Sequence, residues 1–512
     1  MSEPRQGRRG DLVALAGLGL AYWVAHLLVI NRYGWFRDEL YYIACSKRLA
    51  WGYVDHPPFS IAALAIIRGL FGDSLPAVRF VPGLLGAACI FMTGLMARSM
   101  GAARRGQILA AVGVAVAPVF LFTTHIYSMN AFDLVFWTLC ALLLVRIVQT
   151  GDQRLWILLG AAFGVGLLNK ISLLWLGGGM GVGLLLTPAR RTLATRWPWL
   201  AGALAFVIFL PHVIWQAATG WPTLEFMRNA TAHKMADVSY AEFLRMQLNA
   251  LNPFALPLWL GGFLFCMFGR QGRPWRILGW VFLVIFLFLM VSGKARASYL
   301  SPAFPMMLAA GGVAFDRWFE KRGWRLVVPL YLVLLLAGGA IAAPFTLPVL
   351  PVETFIAYSA RLGVAPHQEE HSRLGLLPQH YADMFGWEEL AATVARVYDG
   401  LDEADRKRCV IFAQNYGEAG AIELFGGRYG LPPVVSNHNN YWLWGPRDSS
   451  GDLVIVVGGD RSDEEADFNE VSQAGLFECR YCMPYEDGLT IWVGRGLKTD
   501  LRELWPKMKN YN

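Results

Sequence analysis

Residues 31–59 read NRYGWFRDELYYIACSKRLAWGYVDHPPF, an aromatic and acidic stretch that lies between two long apolar runs. In this stretch and just beyond it, apolar residues recur at helical spacing over Leu40–Arg48 and Pro58–Leu70. Each pattern is too short to cross a bilayer, because a crossing needs about 20 apolar residues. We therefore expect two amphipathic helices that lie along the membrane surface within one long loop, Asn31–Leu75, called the first loop.

The chain around this loop has the composition of a polytopic α-helical membrane protein. Hydrophobic residues make up 55% of its 512 residues and charged residues only 16%, whereas soluble domains are about half apolar and a quarter charged. Repeated apolar runs predict about eleven transmembrane helices. The predicted spans are 11–30, 76–97, 106–122, 131–148, 155–169, 172–187, 197–215, 253–268, 277–292, 300–315 and 326–346. No A-x-A-like cleavage site follows the first run, so we expect it to be retained as a span.

Arginine and lysine are concentrated in six patches between the predicted spans. The patches are Arg5–Arg9, Arg98–Arg105, Arg146–Arg154, Arg190–Arg196, Arg270–Arg276 and Arg317–Arg325. With about eleven crossings, all of these patches lie on one side, which the positive-inside rule identifies as cytoplasmic. We expect a multi-pass protein of the plasma membrane, the bacterial inner membrane, with its N-terminus in the cytoplasm and its C-terminus outside. The patches account for the net charge of +7, so no nucleic-acid partner is expected.

The composition changes after residue 346, where long apolar runs stop and charged residues become common. We predict a transmembrane domain over residues 1–346 and an external α/β domain over residues 347–512, called the C-terminal domain. Its predicted elements are strands at Cys409–Ala413 and Leu453–Val457 and helices at Trp387–Tyr398, Glu418–Phe425 and Asp463–Val471. The glycine-rich pieces NYGEAG and VVGGD match no phosphate-binding fingerprint and are interpreted as turns.

The seven cysteines give a weak signal for chemistry. Four lie in or beside spans and are interpreted as packing residues. The other three, Cys409, Cys479 and Cys482, would be external, where a disulfide among them is expected but the pair is open.

The first loop holds acids that a catalytic site would need. Asp38 and Glu39 are adjacent, and Asp55 and His56 come just before two prolines. Such acids are usually solvated loop residues, which is the alternative interpretation. The density of aromatic side chains around them favours a site instead.

Charged residues also occur at the external ends of predicted spans. Asp133 is an acid at membrane depth and hence a site candidate; the alternative is helix capping by Asn130 or Asp133. Lys170 lies on the same side and is expected to be unneutralised, which predicts a bound lipid phosphate. Lys294 and Arg296 are further candidates for that phosphate, and the alternative for them is snorkelling to head groups.

These motifs resemble the C-type glycosyltransferase superfamily, in the branch that holds protein O-mannosyltransferases and the lipid A aminoarabinose transferase. The resemblance rests on RDELYY, YVDHPPF, an acid after the third span, a lysine after the fifth, and GKARASYLSPAFPMMLAAG. It covers most of residues 11–346. It implies a GT-C-like fold. It also implies an enzyme that moves a sugar from a polyprenyl phosphate carrier to an acceptor on the external face of the membrane.

The resemblance also implies roles for individual residues. Asp38, Glu39 and Asp133 match the catalytic acids, with Asp38 near the reacting centre as general base or orienting carboxylate. Positions that contact the carrier phosphate in the aminoarabinose branch are matched by Tyr42, Tyr53 and Lys170.

A divalent metal ion is a further implication, with Asp55 and His233 as its ligands. The chain departs from the branch at Asp55–His56, where the branch has Glu-Lys, so His56 takes the place of a substrate-binding lysine. Two protein ligands make an incomplete metal site.

Sugar transfer has two competitors from other classes. A transporter or flippase of a lipid-linked sugar would also need many spans, but it tends to show internal repeats, and none is evident here. A membrane-anchored binding protein is the other alternative. The sugar is open, and so is the acceptor, which is an envelope glycolipid such as lipid A or lipopolysaccharide, a polysaccharide or a protein.

Overall fold

Apolar helices build the first two thirds of the chain in the computed structural model, which describes residues 5–322, 327–365, 373, 375–447, 449 and 451–512. In chain order these helices are Arg5–Val29, Arg37–Ser46, Phe59–Phe71, Leu75–Ser99, Arg104–Ala115, Pro118–Thr123, Met129–Thr150, Leu155–Leu167, Leu173–Leu185, Trp197–Ala218, Pro222–Asn229, Tyr240–Ala250, Leu256–Phe268, Arg276–Ser292, Ala297–Leu300, Phe304–Arg322 and Val327–Ala342. Every predicted span falls on one or more of these helices. The first residue of the last span, 326, and the end of the last basic patch, 323–325, lie outside the described residues.

The lengths of the helices decide how many of them could cross a membrane. Within the described residues, six helices are long and apolar enough to do so, and a seventh candidate is the pair Tyr240–Ala250 and Pro253–Phe268, bent by 93°. Helices such as Leu155–Leu167 and Leu173–Leu185 are shorter than a full crossing. The polytopic helical fold is therefore confirmed, and the count of eleven stays a prediction.

A proline explains why one predicted span is broken. The span 106–122 is divided into Arg104–Ala115 and Pro118–Thr123. Proline lacks an amide proton and disfavours helical geometry in the residue before it, so the first helix ends ahead of Pro118.

Both short helices predicted in the first loop are present, but they differ in environment. Phe59–Phe71 buries Ile61 and Leu64 and exposes Leu70 and Phe71, as expected for a helix at a membrane surface. In Arg37–Ser46, every residue from Glu39 to Ser46 is buried. The C-terminal domain covers this helix, and its position along the membrane surface stays a prediction.

The C-terminal domain contains a five-stranded mixed sheet with helices around it. The strands are β1 (Cys409–Ala413), β2 (Val434–Ser436), β3 (Leu453–Val457), β4 (Phe468–Phe477) and β5 (Leu489–Leu497). The helices are Val352–Arg361, Gln379–Ala382, Trp387–Asp399, Glu403–Arg408, Tyr416–Phe425, Asn439–Leu443, Arg461–Asp467 and Leu501–Leu504. In the order β2-β1-β3-β5-β4, the first three strands are parallel and β5 is antiparallel to both neighbours. Val410 lies opposite Val454 in the parallel pair β1–β3.

The strands β1 and β3 are confirmed at their predicted bounds, and two other predictions fail in part. The helix predicted over Asp463–Val471 ends at Asp467, because the chain from Phe468 joins the sheet edge beside β5. NYGEAG is not a turn: the Asn415 side chain caps the helix Tyr416–Phe425 by accepting hydrogen bonds from two backbone amides. The turn predicted at VVGGD is confirmed, since Gly458 and Gly459 have φ values of +73° and +84°.

One apolar core joins the first loop to the C-terminal domain. It includes Leu40 and Ile43 of the loop helix together with Trp387, Ile422 and Ile455 of the C-terminal domain. The domain boundary at residue 346/347 stays a prediction. Because of this shared core, the start of the loop with the candidate acids packs directly against the C-terminal domain.

A disulfide joins Cys479 and Cys482, which settles the pair left open by the sequence. Cys409 is buried on β1 as a free thiol. The cysteines in or beside the spans are Cys45, Cys89, Cys140 and Cys266, and all are free and buried, as packing residues should be.

Candidate active site

Glu39 is fully enclosed by hydrogen-bond donors. Its Oε2 accepts from Arg79 Nη2 at 2.7 Å and from the Phe36 amide at 2.9 Å, and its Oε1 accepts from the Tyr127 amide at 2.8 Å. The side chains of Glu39 and Arg79 are both 0% exposed. This geometry ties the start of the loop helix to two other parts of the chain. Arg79 was not among the residues predicted from the sequence, although an arginine at the external end of a span departs from the positive-inside pattern.

Asp38 faces the opposite way and remains accessible, with 38% of its side chain exposed. Its Oδ1 accepts a hydrogen bond from the Tyr416 hydroxyl at 2.9 Å. Arg37 Nε lies 4.0 Å from the same oxygen. Of the two adjacent acids, Asp38 is therefore the one that a substrate could reach.

His56 lies in a cage of tyrosines beside Asp55. Its ring centroid is 4.7 Å from that of Tyr42 and 4.9 Å from that of Tyr53, and its Nε2 is 3.7 Å from Asp55 Oδ1. The Tyr41 hydroxyl lies 2.9 Å from Asp55 Oδ1. Burial, followed by the charge of Asp55, holds the pKa of Tyr41 and of Tyr42 well above the usual range, so both are neutral phenols.

The two tyrosines matched to phosphate contacts differ in what their hydroxyls do. The Tyr53 hydroxyl lies 3.2 Å from the Arg48 carbonyl and 3.4 Å from the Cys45 carbonyl, inside the loop. The Tyr42 hydroxyl accepts from the Met129 amide at 3.3 Å. Tyr42 therefore joins the first loop to the start of helix Met129–Thr150, and Asp133 lies one turn further along that helix.

Asp133 and Lys170 form one polar group at this position. Ser172 Oγ lies 2.9 Å from Asp133 Oδ2, and Lys170 Nζ is 3.6 Å from the same oxygen. Lys170 also donates to Asn130 Oδ1 at 2.7 Å. The expectation of an unneutralised lysine is wrong, because Asp133 is its ion-pair partner. The capping alternative for Asp133 is also wrong, since Ser128 caps the helix by accepting from the Asn130 amide.

The loop that contains Lys294 and Arg296 borders this group through Tyr299. Lys170 Nζ lies 5.7 Å from the centre of the Tyr299 ring. Lys294 is paired with Asp237 at 2.8 Å and also donates to the Met235 carbonyl. Arg296 is half-buried and precedes the helix Ala297–Leu300. For both residues, the role of binding phosphate stays a prediction.

The metal pair does not make a complete site. His233 is exposed on the short helical segment Ala230–Lys234, and Asp55 already contacts Tyr41 and His56. Within the described ranges, no group of three or more His, Cys, Asp or Glu side chains could hold a metal ion. A divalent ion shared by Asp55 and His233 stays a prediction, and the metal content of the purified protein would test it.

Comparisons with known proteins cover the membrane helices and the C-terminal domain. A sequence model of the family described as dolichyl-phosphate-mannose-protein mannosyltransferase matches residues 55–215. The lipid A galacturonosyltransferase RgtD of Rhizobium johnstonii is 23% identical over 326 residues, which are 62% of this chain. The match spans 66% of that curated relative, just under two thirds of its length.

Two solved structures have a similar fold. ArnT from Cupriavidus metallidurans, bound to undecaprenyl phosphate, has a TM-score of 0.62 at 15% identity, over 94% of this chain and 98% of that one. The Archaeoglobus fulgidus oligosaccharyltransferase, tethered to an acceptor peptide, has a TM-score of 0.52 at 12% identity, over 83% of this chain and 63% of that one. The arrangement of spans, loop and C-terminal domain is therefore shared with ArnT over nearly the whole chain.

Proposed function

We propose that this chain is a C-type glycosyltransferase of the mannosyltransferase and ArnT branch and that it moves a sugar from a polyprenyl phosphate carrier to an acceptor. The observation that carries the proposal is the hydrogen bond from the Met129 amide to the Tyr42 hydroxyl. It joins the helix of the accessible acid Asp38 to the helix that holds Asp133, the ion-pair partner of Lys170. A polyprenyl phosphate would place its charge near Lys170 and leave its tail in the lipid. ArnT bound to undecaprenyl phosphate supports this choice of donor.

Asp38 and Lys170 have different roles in the proposed reaction. The bond between the sugar C1 and the phosphate oxygen breaks, and C1 forms a bond to the acceptor oxygen. Asp38 takes the acceptor proton, and a positioned base of this kind contributes about 10²–10⁴-fold to the rate. Lys170 stabilises the charge that grows on the departing phosphate. The carrier phosphate then leaves as an anion, so no acid is needed to protonate it.

The acceptor we propose is a lipid A-type glycolipid, since a lipid A galacturonosyltransferase is among the relatives. The donor sugar is a hexose or a pentose. The test is purified protein in nanodiscs with a panel of polyprenyl-phosphate sugars, and lipid A, polysaccharide and peptide as acceptors, read by mass spectrometry. Transfer to peptide alone would reject the glycolipid. In sealed proteoliposomes, donor movement across the bilayer without transfer would support a flippase.

Lys170→Ala should weaken use of the donor. Removal of one charged hydrogen bond to the phosphate should raise the apparent KM for the lipid carrier about tenfold, and kcat should fall because charge on the phosphate grows during transfer. Lys170→Arg should restore only part of the loss, since a planar guanidinium does not replace a point charge. A donor titration in nanodiscs measures both constants.

The control for Lys170 is Lys509→Ala, which removes a lysine that is paired with Glu225 instead of Asp133. Its KM for the carrier should equal that of the wild type. If Lys170→Ala also matches the wild type in KM and kcat, the phosphate is held elsewhere, with Lys294 and Arg296 as the next candidates.

We propose that the protein lies in the bacterial inner membrane, with the first loop on the side away from the cytoplasm. Single cysteines at Asp73, Thr231 and Asp463 should react with an impermeant thiol reagent in intact cells. Cysteines at Arg104, Asp152 and Arg191 should react only after permeabilisation. All six positions are exposed, and the free native cysteines of the described residues are buried, so the wild-type background is suitable. The reverse labelling pattern would invert the orientation.

A further inference from the structure

The C-terminal domain is in direct contact with the helix that holds Asp38. Helix Tyr416–Phe425 packs on the loop helix Arg37–Ser46. The contact is close, because a Cβ added at Gly420 would lie only 2.9 Å from the Cβ of Leu40. The two helices therefore fix each other's position.

The Tyr416 side chain is held rigidly at this contact. It is 7% exposed, and its ring centroid lies 4.8 Å from those of Tyr41 and His438. The Asn415 side chain caps the same helix by accepting from the amides of Gly417 at 2.8 Å and Glu418 at 3.0 Å. The direction of the phenol is thus set by the C-terminal domain, and its hydroxyl donates to Asp38 Oδ1 at 2.9 Å.

A second contact from the same domain holds the segment around Asp55. Asn440 Oδ1 accepts from the Val54 amide at 2.7 Å and lies 3.0 Å from the Tyr41 hydroxyl. Tyr41 in turn contacts Asp55. Asp38, at the start of the first loop helix, and Asp55, in the stretch between the two loop helices, are therefore both braced by the C-terminal domain.

We infer that Tyr416 is a positioning residue for Asp38, so that the C-terminal domain completes the active site. The inference rests on the proposed function. Donation to Oδ1 fixes the carboxylate in one rotamer and assigns the other oxygen, Oδ2, to the acceptor hydroxyl. Because the phenol acts through Asp38, its loss should lower kcat and leave the KM for the donor unchanged, since the donor phosphate is held by other residues.

The test compares Tyr416→Phe with Tyr441→Phe in the full-length protein in nanodiscs. Tyr441 is also buried in the C-terminal domain, and it donates to Glu423 at 3.1 Å near the same loop. Each variant loses one phenol–carboxylate hydrogen bond, but only Tyr416 contacts Asp38. We expect kcat to fall about tenfold in Tyr416→Phe and to remain close to wild type in Tyr441→Phe, with similar melting temperatures.

Hydrogen–deuterium exchange over Arg37–Ser46 gives a readout that needs no activity. Exchange at the start of this helix should rise in Tyr416→Phe and not in Tyr441→Phe. Equal kcat values for the two variants, or unchanged exchange in Tyr416→Phe, would overturn the inference. If the wild type transfers no sugar from any donor, the proposed function fails, and the exchange result still decides whether Tyr416 positions Asp38.

Discussion

Asp38→Asn is expected to abolish sugar transfer while the protein stays folded in the membrane. An amide keeps the size of the carboxylate and can still accept a hydrogen bond from Tyr416, so the local structure is retained. It cannot take the proton of the acceptor hydroxyl, and loss of a general base costs about 10²–10⁴-fold in rate. Single-turnover transfer with saturating donor measures the loss, and size-exclusion chromatography in detergent checks the fold.

Asp73→Asn is the matched control for this substitution. Asp73 lies in the same loop, is more exposed than Asp38 and is paired with Arg68 at 2.6 Å. Removal of its charge should leave transfer close to the wild-type rate. Normal turnover in Asp38→Asn would show that another group removes the proton, and Asp55 would then be the next candidate.

The pattern of apolar residues along the chain was enough to predict those strands and helices that depend mainly on their own sequence. The strands at Cys409–Ala413 and Leu453–Val457 are continuous apolar runs, and both are buried throughout. The two short helices of the first loop follow from helical spacing of apolar residues. In contrast, β4 is an edge strand with mostly exposed side chains, and it forms only because β5 offers a partner. Pairing between distant segments leaves no local signal in such a strand.

In the candidate site too, the sequence predicts single residues but not the contacts between distant parts of the chain. Asp38, Asp133 and Lys170 could be found from the sequence, because charged residues near apolar spans are costly unless they have a function. Tyr416 could not be found, since it is 378 residues away from Asp38 along the chain. Its motif, NYGEAG, starts a helix that meets the loop only in the folded protein. The ion pair of Lys170 with Asp133 likewise depends on the packing of two helices.

Glu39 is where the sequence and the structure suggest different roles. The motif resemblance places it beside Asp38 as a second catalytic acid. In the structure, both of its oxygens are occupied by Arg79 and by the amides of Phe36 and Tyr127, with no exposed surface. We therefore expect Glu39 to hold the loop helix in place, and a double-mutant cycle with Arg79 can separate the two roles.

Either single substitution, Glu39→Gln or Arg79→Met, should strongly destabilise the protein. Each leaves one buried charge without its partner, and such a loss costs about 3–5 kcal/mol. The double variant Glu39→Gln/Arg79→Met removes both charges, keeps an oxygen for one backbone amide and fills the volume of the arginine. It should regain a large share of the stability, as measured by thermal unfolding in detergent.

Activity per folded molecule then decides the role of Glu39. If Glu39 positions the loop, the double variant should transfer sugar far better than either single variant, because the helix that holds Asp38 is restored. If Glu39 takes part in the chemistry, the double variant should be folded but inactive, whereas Arg79→Met should keep activity in its folded fraction. The complete burial of the pair favours the first result, since a carboxylate that no substrate can reach affects the reaction only through the position of its neighbour.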